Sequence, residues 1–301
     1  MTHNIHEIFD LNSQLLLEKQ ILINNDARYG QAVLFGGGAA SGKGFAITNF
    51  MRGEMFRVID VDDLKRLLIK IDTIKKKYPE IRGLDLRKPE DVRTLHDFAY
   101  DRNLVDKRNM ALLDTFKDPT RLPNIIMDKT LAKKGDIDKV VNILTEAGYT
   151  PRNIHLIWVL TNYYIAVERN KTRSRVVPED IVFATHQGAA KTMTDLLTSQ
   201  VPNSLDGSVY VILNNTEHTI FWKTPGGENI RPTGKYTDTY SNVYGVDKKT
   251  MPDKRSDVPA VVKSFTYLKL KDTGRSLNTN ADVQKQLLSW VKQNAPQGLD
   301  S

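Results

Sequence analysis

Cysteine is absent from the 301 residues, which excludes disulfide bonds, thiolate metal sites and a cysteine nucleophile. Long apolar runs are also missing, and none approaches the roughly 20 residues that a membrane-spanning helix needs. The start of the chain lacks the basic and apolar stretches of a secretion signal. We therefore expect a soluble protein with no membrane partner, and a chain without cysteine suits the reducing cytoplasm.

Acidic residues are fewer than basic ones. The chain has 43 Lys and Arg against 36 Asp and Glu, which gives a formal net charge of +7. An excess of positive charge favours polyanionic partners such as nucleotides and nucleic acid. A basic phosphate site on a lysine-rich surface would have the same composition, so the charge leaves nucleic acid open as a partner.

Short apolar runs rich in β-branched residues predict strands that are buried on both faces. They are Gln31–Phe35, Phe56–Val61, Asn124–Met127, Ile154–Leu160 and Val209–Leu213. Helical patterns separate them, at Pro89–Phe116, Ile137–Gly148 and Pro178–Leu197. Alternation of strand and helix predicts right-handed βαβ crossovers. We therefore predict an α/β fold with a doubly wound, mostly parallel five-stranded sheet and helices on both faces.

The first predicted strand leads directly into a glycine-rich loop. Gly37 and Gly42-Lys43 satisfy the G-x-x-x-x-G-K part of the P-loop pattern. Glycines let successive backbone N–H groups turn inward around an anion, and the helix that follows adds the positive end of its dipole. Lys43 then reaches the β- and γ-phosphates as a mobile, catalytic cation. The residues predicted to bind ATP in this loop are Gly37, Gly38, Ala39, Ala40, Ser41, Gly42, Lys43 and Gly44.

The last position of the loop departs from the pattern. The P-loop pattern ends in Ser or Thr, whose hydroxyl ligates Mg²⁺, and this chain has Gly44. The cation must then be held by phosphate oxygens, water and carboxylates, or by a nearby hydroxyl such as Ser41 or Thr48.

Acidic residues follow the second and third predicted strands, at the sheet edge where open α/β sheets bind ligands. Transfer of a phosphoryl group to a hydroxyl needs a carboxylate that accepts or orients the substrate proton. We predict Asp62 for that role and as a Mg²⁺ ligand, with Asp60 as a supporting group on the substrate side. Asp63 is predicted to cap the next helix. Asp128 and Thr130 are predicted to contact the substrate, with Mg²⁺ binding through water as an alternative for Asp128.

A basic segment follows the fourth predicted strand, with four cations between Arg169 and Arg175. Arginine matches phosphate geometry and neutralises charge on a transferred phosphoryl group, so this segment predicts a lid over the triphosphate. Arg169 and Arg175 are predicted to contact the nucleotide and the transition state, and Arg173 is a further candidate for the nucleotide. A solvated charged loop is the alternative interpretation.

Taken together, these motifs resemble the zeta-toxin family of P-loop kinases between about Gln31 and Leu213, and they are also similar to phage polynucleotide 5′-hydroxyl kinases. In these families an aspartate in an I-D-x-D pattern is the base, which the resemblance places on Asp62. The two lid arginines of zeta toxins match Arg169 and Arg175. Gly44 departs from the Ser or Thr of both families.

The resemblance implies a kinase that uses ATP and Mg²⁺ and phosphorylates a hydroxyl of a small molecule such as a nucleotide sugar. A polynucleotide or modified-DNA hydroxyl is the alternative acceptor, and a P-loop protein that binds nucleotide without turnover is a third hypothesis. An antitoxin or inhibitor protein stays open as a partner.

We predict three parts along the chain: an N-terminal helical segment over residues 1–30, a P-loop kinase domain over 31–215 and a C-terminal part over 216–301. Within the last part, Phe265–Lys271 alternates like an edge strand and Asn280–Asn294 like an amphipathic helix. Whether this part is a small appended domain or a final layer on the kinase is left open by the sequence.

Overall fold

A computed structural model describes residues 15–18, 21, 23, 27–51, 55–114, 121–133, 135–198, 201, 204–229, 262–277 and 281–296. Its strands are β1 (Leu15–Glu18), β2 (Ala32–Gly36), β3 (Arg57–Asp60), β4 (Ile125–Asp128), β5 (Ile154–Leu160), β6 (Val209–Leu213), β7 (Thr219–Phe221) and β8 (Val262–Lys271). Its helices are α1 (Lys43–Phe50), α2 (Val61–Lys70), α3 (Asp72–Lys77), α4 (Pro89–Asp101), α5 (Leu104–Asp114), α6 (Asp136–Glu146), α7 (Tyr163–Lys171), α8 (Glu179–Thr198) and α9 (Ala281–Asn294).

The strands form one mixed sheet in the order β1-β8-β6-β5-β2-β4-β3, with β7 also paired to β8. The pairs β6–β5, β5–β2, β2–β4 and β4–β3 are parallel, whereas β8 is antiparallel to β6, β1 and β7. Every residue of β2, β5 and β6 is buried, as their continuous apolar runs predict. The predicted α/β class is confirmed, but the described residues form a sheet of eight strands where five were predicted.

Helices cover both faces of this sheet. On one face, sheet residues such as Leu34 and Trp158 pack in one cluster with the apolar sides of α6, α8 and α9. On the other face, Val33 and Phe35 pack with α1. Because successive strand residues point to opposite faces, β2 contributes to both cores. None of the described helices is long and apolar enough to cross a bilayer.

The C-terminal region belongs to this same sheet and core. Strand β8 pairs with β6 along one edge and with β1 along the other, so it lies inside the sheet and the prediction of an edge strand was wrong. Helix α9 buries Leu287, Trp290 and Val291 in the cluster that also contains α8. The described part of the C-terminal region is therefore a final layer on the P-loop strands.

Two further predictions of helical structure need correction. Residues Leu15–Glu18, placed in a helical N-terminal segment, form strand β1 because β8 offers them an unpaired edge. Residues 1–14 lie outside the described part of the chain. The long helix predicted over Pro89–Phe116 is two helices, α4 and α5, separated at Asn103, whose φ of 50° is left-handed and ends a helix.

Candidate active site

The predicted P-loop joins β2 to α1 in a turn that needs unusual backbone angles. Gly37, Ala40 and Gly42 all have positive φ, and Gly42 is the N-cap of α1. A Cβ on Gly37 would lie 2.6 Å from the carbonyl oxygen of Val159, so glycine is required there for space as well as for conformation. The loop thus presents its backbone at the N-terminus of α1, where the helix dipole favours an anion.

Lys43 lies over this turn. Its Nζ donates to the carbonyl oxygens of Gly37, at 2.9 Å, and of Gly38, at 3.1 Å. The same Nζ is 3.7 Å from Oδ1 of Asp128 at the end of β4. The predicted catalytic cation is therefore between the loop and a predicted substrate-side carboxylate.

Four side chains whose contacts with the loop were not predicted support it from distant elements. On α8, Thr185 Oγ1 accepts from the Ala39 N–H at 3.0 Å, and His186 Nε2 is 2.8 Å from the Ala39 carbonyl oxygen. Thr161 and Asn214, which follow β5 and β6, each donate to the Ser41 carbonyl oxygen at 2.7 Å. Their partners are more than a hundred residues away in sequence, so no local pattern marks these contacts.

Packing around Gly38 explains another glycine of the loop. A Cβ on Gly38 would lie 2.4 Å from the imidazole ring of His186, which is itself 6% exposed. Burial lowers the pKa of His186 to about 4, although its hydrogen bond to Ala39 acts in the opposite direction. The ring is therefore neutral near pH 7 and fills the space beside the loop.

The carboxyl ends of β3 and β4 bring two predicted acidic residues side by side. Asp60 and Asp128 are direct partners on these neighbouring parallel strands, and paired positions project to the same face of a sheet. Burial raises the pKa of Asp60 to about 7, with Asp62 and Asp128 adding to the shift. Burial also raises the pKa of Asp128, against the effect of Lys43. Both carboxyl groups therefore take up a proton more readily than a free aspartate does.

The start of α2 differs from the prediction. Asp60, and not Asp63, caps the helix, since its Oδ1 accepts from the Asp62 N–H at 2.9 Å. Asp63 instead forms an ion pair with Arg66 at 2.9 Å. Strand β3 ends at Asp60, which places Asp60 at the N-cap position and Asp63 inside the first turn.

Asp62, the predicted base, is surrounded by cations. Its Oδ2 is 2.6 Å from Nη2 of Arg175, and both side chains are largely buried. Burial would raise the pKa of Asp62, but Arg175, Lys65 and Arg173 outweigh it and hold the pKa below its usual value. Asp62 is therefore a carboxylate at neutral pH, oriented by Arg175.

Lys65 and His96 are two further residues at this site that sequence reasoning missed. Lys65 lies one turn after Asp62 on α2, is 6% exposed, and its Nζ is 3.0 Å from Nδ1 of His96 on α4. Burial lowers the pKa of Lys65 to about 8, although Asp62 acts in the opposite direction. In the sequence, a lysine three residues after an aspartate is typical of any amphipathic helix, so the sequence alone does not mark Lys65 as a site residue.

The predicted lid is a short loop that Asn170 closes. The Asn170 side chain donates to the Val177 carbonyl oxygen at 2.7 Å and accepts from the Val177 N–H at 3.0 Å. Arg173 lies inside this loop, and burial and the neighbouring Arg175 lower its pKa. Arg175 reaches Asp62 from the same loop, so the lid delivers two of the three predicted arginines to the carboxylates.

Arg169 and Thr130 contact the P-loop side of the site. Arg169 Nη1 donates to the Asn214 carbonyl oxygen at 3.0 Å and lies near Gly42. Thr130 accepts from the Gly37 N–H through its backbone oxygen at 3.4 Å. The structure therefore gathers all the predicted site residues around the carboxyl ends of β2, β3 and β4 and the loops after β5 and β6.

A divalent cation fits this site only if phosphate oxygens and protein carboxylates bind it together. The described residues include no group of three or more His, Cys, Asp or Glu side chains that could bind a metal ion by themselves. Burial and neighbouring carboxylates raise the pKa of both Asp60 and Asp128, and a cation bound jointly with phosphate oxygens would relieve the repulsion between the carboxylates. Asp62, the predicted metal ligand, is ion-paired with Arg175 at 2.6 Å, a shorter contact than the 3.7 Å between Asp128 and Lys43, so Asp60 and Asp128 are better placed for a cation.

Comparison with solved structures gives matches of low identity. A structure of the PezAT chromosomal toxin-antitoxin system of Streptococcus pneumoniae matches at 15% identity and a TM-score of 0.38, covering 62% of this chain and 68% of that one. The AvrRxo1-ORF1:-ORF2 complex with ATP matches at 12% and 0.37, covering 74% and 66%. TT1252 from Thermus thermophilus matches at 18% and 0.31, covering 74% and 100%.

A comparison with curated proteins gave no significant match. The sequence model of the zeta toxin family, in contrast, matches residues 14–225. This range contains the P-loop, the carboxylates after β3 and β4, and the arginine-bearing lid. Because the match extends over well more than half of the 301 residues, the chain belongs to the zeta toxin family, with its P-loop kinase-like fold.

Proposed function

We propose that the protein is a kinase that transfers the γ-phosphate of ATP to a hydroxyl group of a small molecule, such as a nucleotide sugar. The observation that carries this proposal is the arrangement of two charged pairs at adjacent strand ends. Lys43 with Asp128 lies at the P-loop, and Asp62 with Arg175 lies beside them. One pair suits a triphosphate, and the other suits an alcohol that is to be phosphorylated.

The P-loop side would bind the nucleotide. The N-terminus of α1 supplies partial positive charge, and Lys43 supplies a full one. Lys43 would exchange its contacts with Gly37 and Gly38 for phosphate oxygens. Arg169, beside Gly42, would extend the contacts along the nucleotide. Mg²⁺, where bound, would neutralise phosphate charge, with Asp60 and Asp128 as its protein ligands.

The carboxylate side would activate the acceptor. Its hydroxyl oxygen forms a bond to the γ-phosphorus, the bond from that phosphorus to the bridging oxygen breaks, and ADP leaves with the electron pair. The hydroxyl proton goes to Asp62, which the surrounding cations keep ionised. Arg175 orients Asp62 and, with Arg173, adds positive charge next to the phosphoryl group in transit.

A transfer assay tests this proposal. The protein is incubated with Mg²⁺ and ATP labelled at the γ-phosphate, together with UDP-sugars, nucleosides or DNA, and the label is followed. We expect label on a small-molecule acceptor, a loss of transfer in Asp62→Asn with ATP binding retained, and a loss of ATP binding in Lys43→Ala. Normal transfer in Asp62→Asn would refute the role of this carboxylate, and ATP affinity unchanged in Lys43→Ala would refute the P-loop assignment.

Two other functions have specific support and are outcomes of the same assay. A polynucleotide or modified-DNA acceptor is favoured by the net charge of +7 and the basic lid, and label on DNA alone would establish it. Binding of nucleotide without turnover is favoured by Gly44, which removes the usual metal-binding hydroxyl. ATP binding with no labelled product from any acceptor would support that function.

A further inference from the structure

Position 44 has room for the hydroxyl that it lacks. Gly44 is the second residue of α1, and a Cβ built on it meets no heavy atom within 4 Å. Its φ lies outside the left-handed range that would demand glycine. Neither packing nor backbone conformation therefore explains why glycine occupies the position where P-loops carry a Mg²⁺ ligand.

The two hydroxyls nearest in sequence, Ser41 and Thr48, lie in different surroundings. Ser41 Oγ is buried, and a Cβ on Gly37 would lie 2.7 Å from it, so it faces the inside of the turn. Thr48 Oγ1 donates at 2.9 Å to the Gly44 carbonyl oxygen, one turn back along α1. Thr48 is therefore engaged within α1, whereas Ser41 Oγ lies on the inner side of the turn and has no hydrogen-bond partner in the described part of the chain.

Two carboxylates, at the ends of β3 and β4, lie near the loop. Asp128 lies 3.7 Å from Lys43 Nζ, and its strand partner Asp60 projects to the same face of the sheet. Asp60 uses Oδ1 to cap α2, which leaves its second carboxylate oxygen for another partner. Hard divalent cations prefer such oxygen ligands.

We propose that this chain binds the Mg²⁺ of Mg-ATP through Asp60 and Asp128 without a hydroxyl at position 44, so that its nucleotide binding depends on a high Mg²⁺ concentration that a serine at position 44 would lower. The proposal rests on the proposed function, because it requires that ATP binds at Lys43 and the P-loop. It concerns only how the cation is held there.

Calorimetric titration of the full chain with a non-hydrolysable ATP analogue, repeated over a series of Mg²⁺ concentrations, tests this. The variants are Gly44→Ser and Gly44→Ala, which remove the same glycine and differ by one hydroxyl. We expect the Mg²⁺ concentration for half-maximal binding to be about tenfold lower in Gly44→Ser than in Gly44→Ala, the scale on which a lost metal contact acts. Asp128→Asn should raise it above that of the unchanged chain.

The outcomes separate this inference from the proposed function. An equal Mg²⁺ requirement in the serine and alanine variants overturns the inference, because position 44 would then lie away from the cation. An unaltered requirement in Asp128→Asn overturns the carboxylate half of it. Failure of the unchanged chain to bind the analogue at any Mg²⁺ concentration overturns the proposed function together with the inference.

Discussion

His186 offers a test of how the P-loop is supported. The ring fills the space beside Gly38, its Nε2–H donates to the Ala39 carbonyl oxygen at 2.8 Å, and it meets Tyr163 edge-on at 5.8 Å. A glutamine at this position can still donate an amide N–H to Ala39 but does not titrate. His186→Gln therefore separates the charge state of the ring from its hydrogen bond.

The expected size of the effect follows from proton linkage. Burial lowers the pKa of His186 to about 4 in the folded protein, whereas an unfolded histidine has a pKa of about 6.5. The unfolded chain therefore takes up a proton first as the pH falls, and this residue makes folding less favourable between pH 6.5 and pH 4. At pH 5 the loss is about 2 kcal/mol, and above pH 7 it is close to zero. Lys43, the charged group that faces the ring, shifts the pKa in the same direction as burial.

Urea unfolding of both proteins at pH 8 and pH 5, followed by circular dichroism, measures this. At pH 8 we expect His186→Gln to be less stable by about 1–2 kcal/mol, because it loses the packing of the ring. At pH 5 that difference should fall to about zero or change sign. His155, whose pKa burial also lowers to about 4, is present in both proteins and cancels. A difference between the proteins that is the same at both pH values would refute the reasoning.

Three further predictions concern the loop and the carboxylates. Gly38→Ala places a methyl group 2.4 Å from the imidazole ring of His186 and should weaken ATP binding about tenfold in a nucleotide titration. The control Gly44→Ala places a methyl group with no atom within 4 Å and should have a clearly smaller effect. Equal effects of the two variants would contradict this. Arg175→Ala should lower kcat on the order of 10²-fold and also lower the Tm, because Asp62 is left as an unpaired buried charge; a loss of ATP affinity alone would assign the arginine to ground-state binding. Asp60→Asn keeps the helix cap but removes one of three neighbouring carboxylates, so it should raise the Tm in a thermal shift assay. The same variant should weaken Mg²⁺-dependent nucleotide binding. A lower Tm would speak against repulsion between the carboxylates.

The parallel part of the fold could be predicted because its signals are local. Each of the strands β2 to β6 is a short apolar run with a turn or a helix after it, and the observed bounds differ from the predicted ones by at most one residue at either end. The antiparallel part depends on pairing between the two ends of the chain. Strand β8 lies inside the sheet only because Leu15–Glu18 pairs with it, and the sequence of β8 alone does not indicate that partner.

The candidate site also has residues that the sequence predicts and contacts that it does not. Lys43, Asp62 and Arg175 stand next to motif glycines, strand ends or clustered cations, and the structure brings them together. The support of the loop by Thr185 and His186 comes from a helix almost 150 residues downstream. Such contacts arise from how α8 packs on the sheet, so a single sequence gives no signal for them. The assignment of the helix cap to Asp63 was wrong for a smaller reason, since β3 ends earlier than its apolar run.

The charges at the strand ends explain why the cation should matter to this protein. Asp60, Asp62 and Asp128 stand close enough to shift one another's pKa, and Asp62 is balanced by Arg175 while Lys43 is shared between Asp128 and the P-loop carbonyls. A triphosphate that entered without a metal ion would take Lys43 and leave Asp60 and Asp128 facing several further negative charges in a partly buried site, where repulsion is stronger than in water. A metal-bound triphosphate avoids most of that repulsion. With no hydroxyl at position 44 to help hold the metal, the electrostatic demand for it and the small number of protein ligands act together, and nucleotide affinity should follow the Mg²⁺ concentration closely.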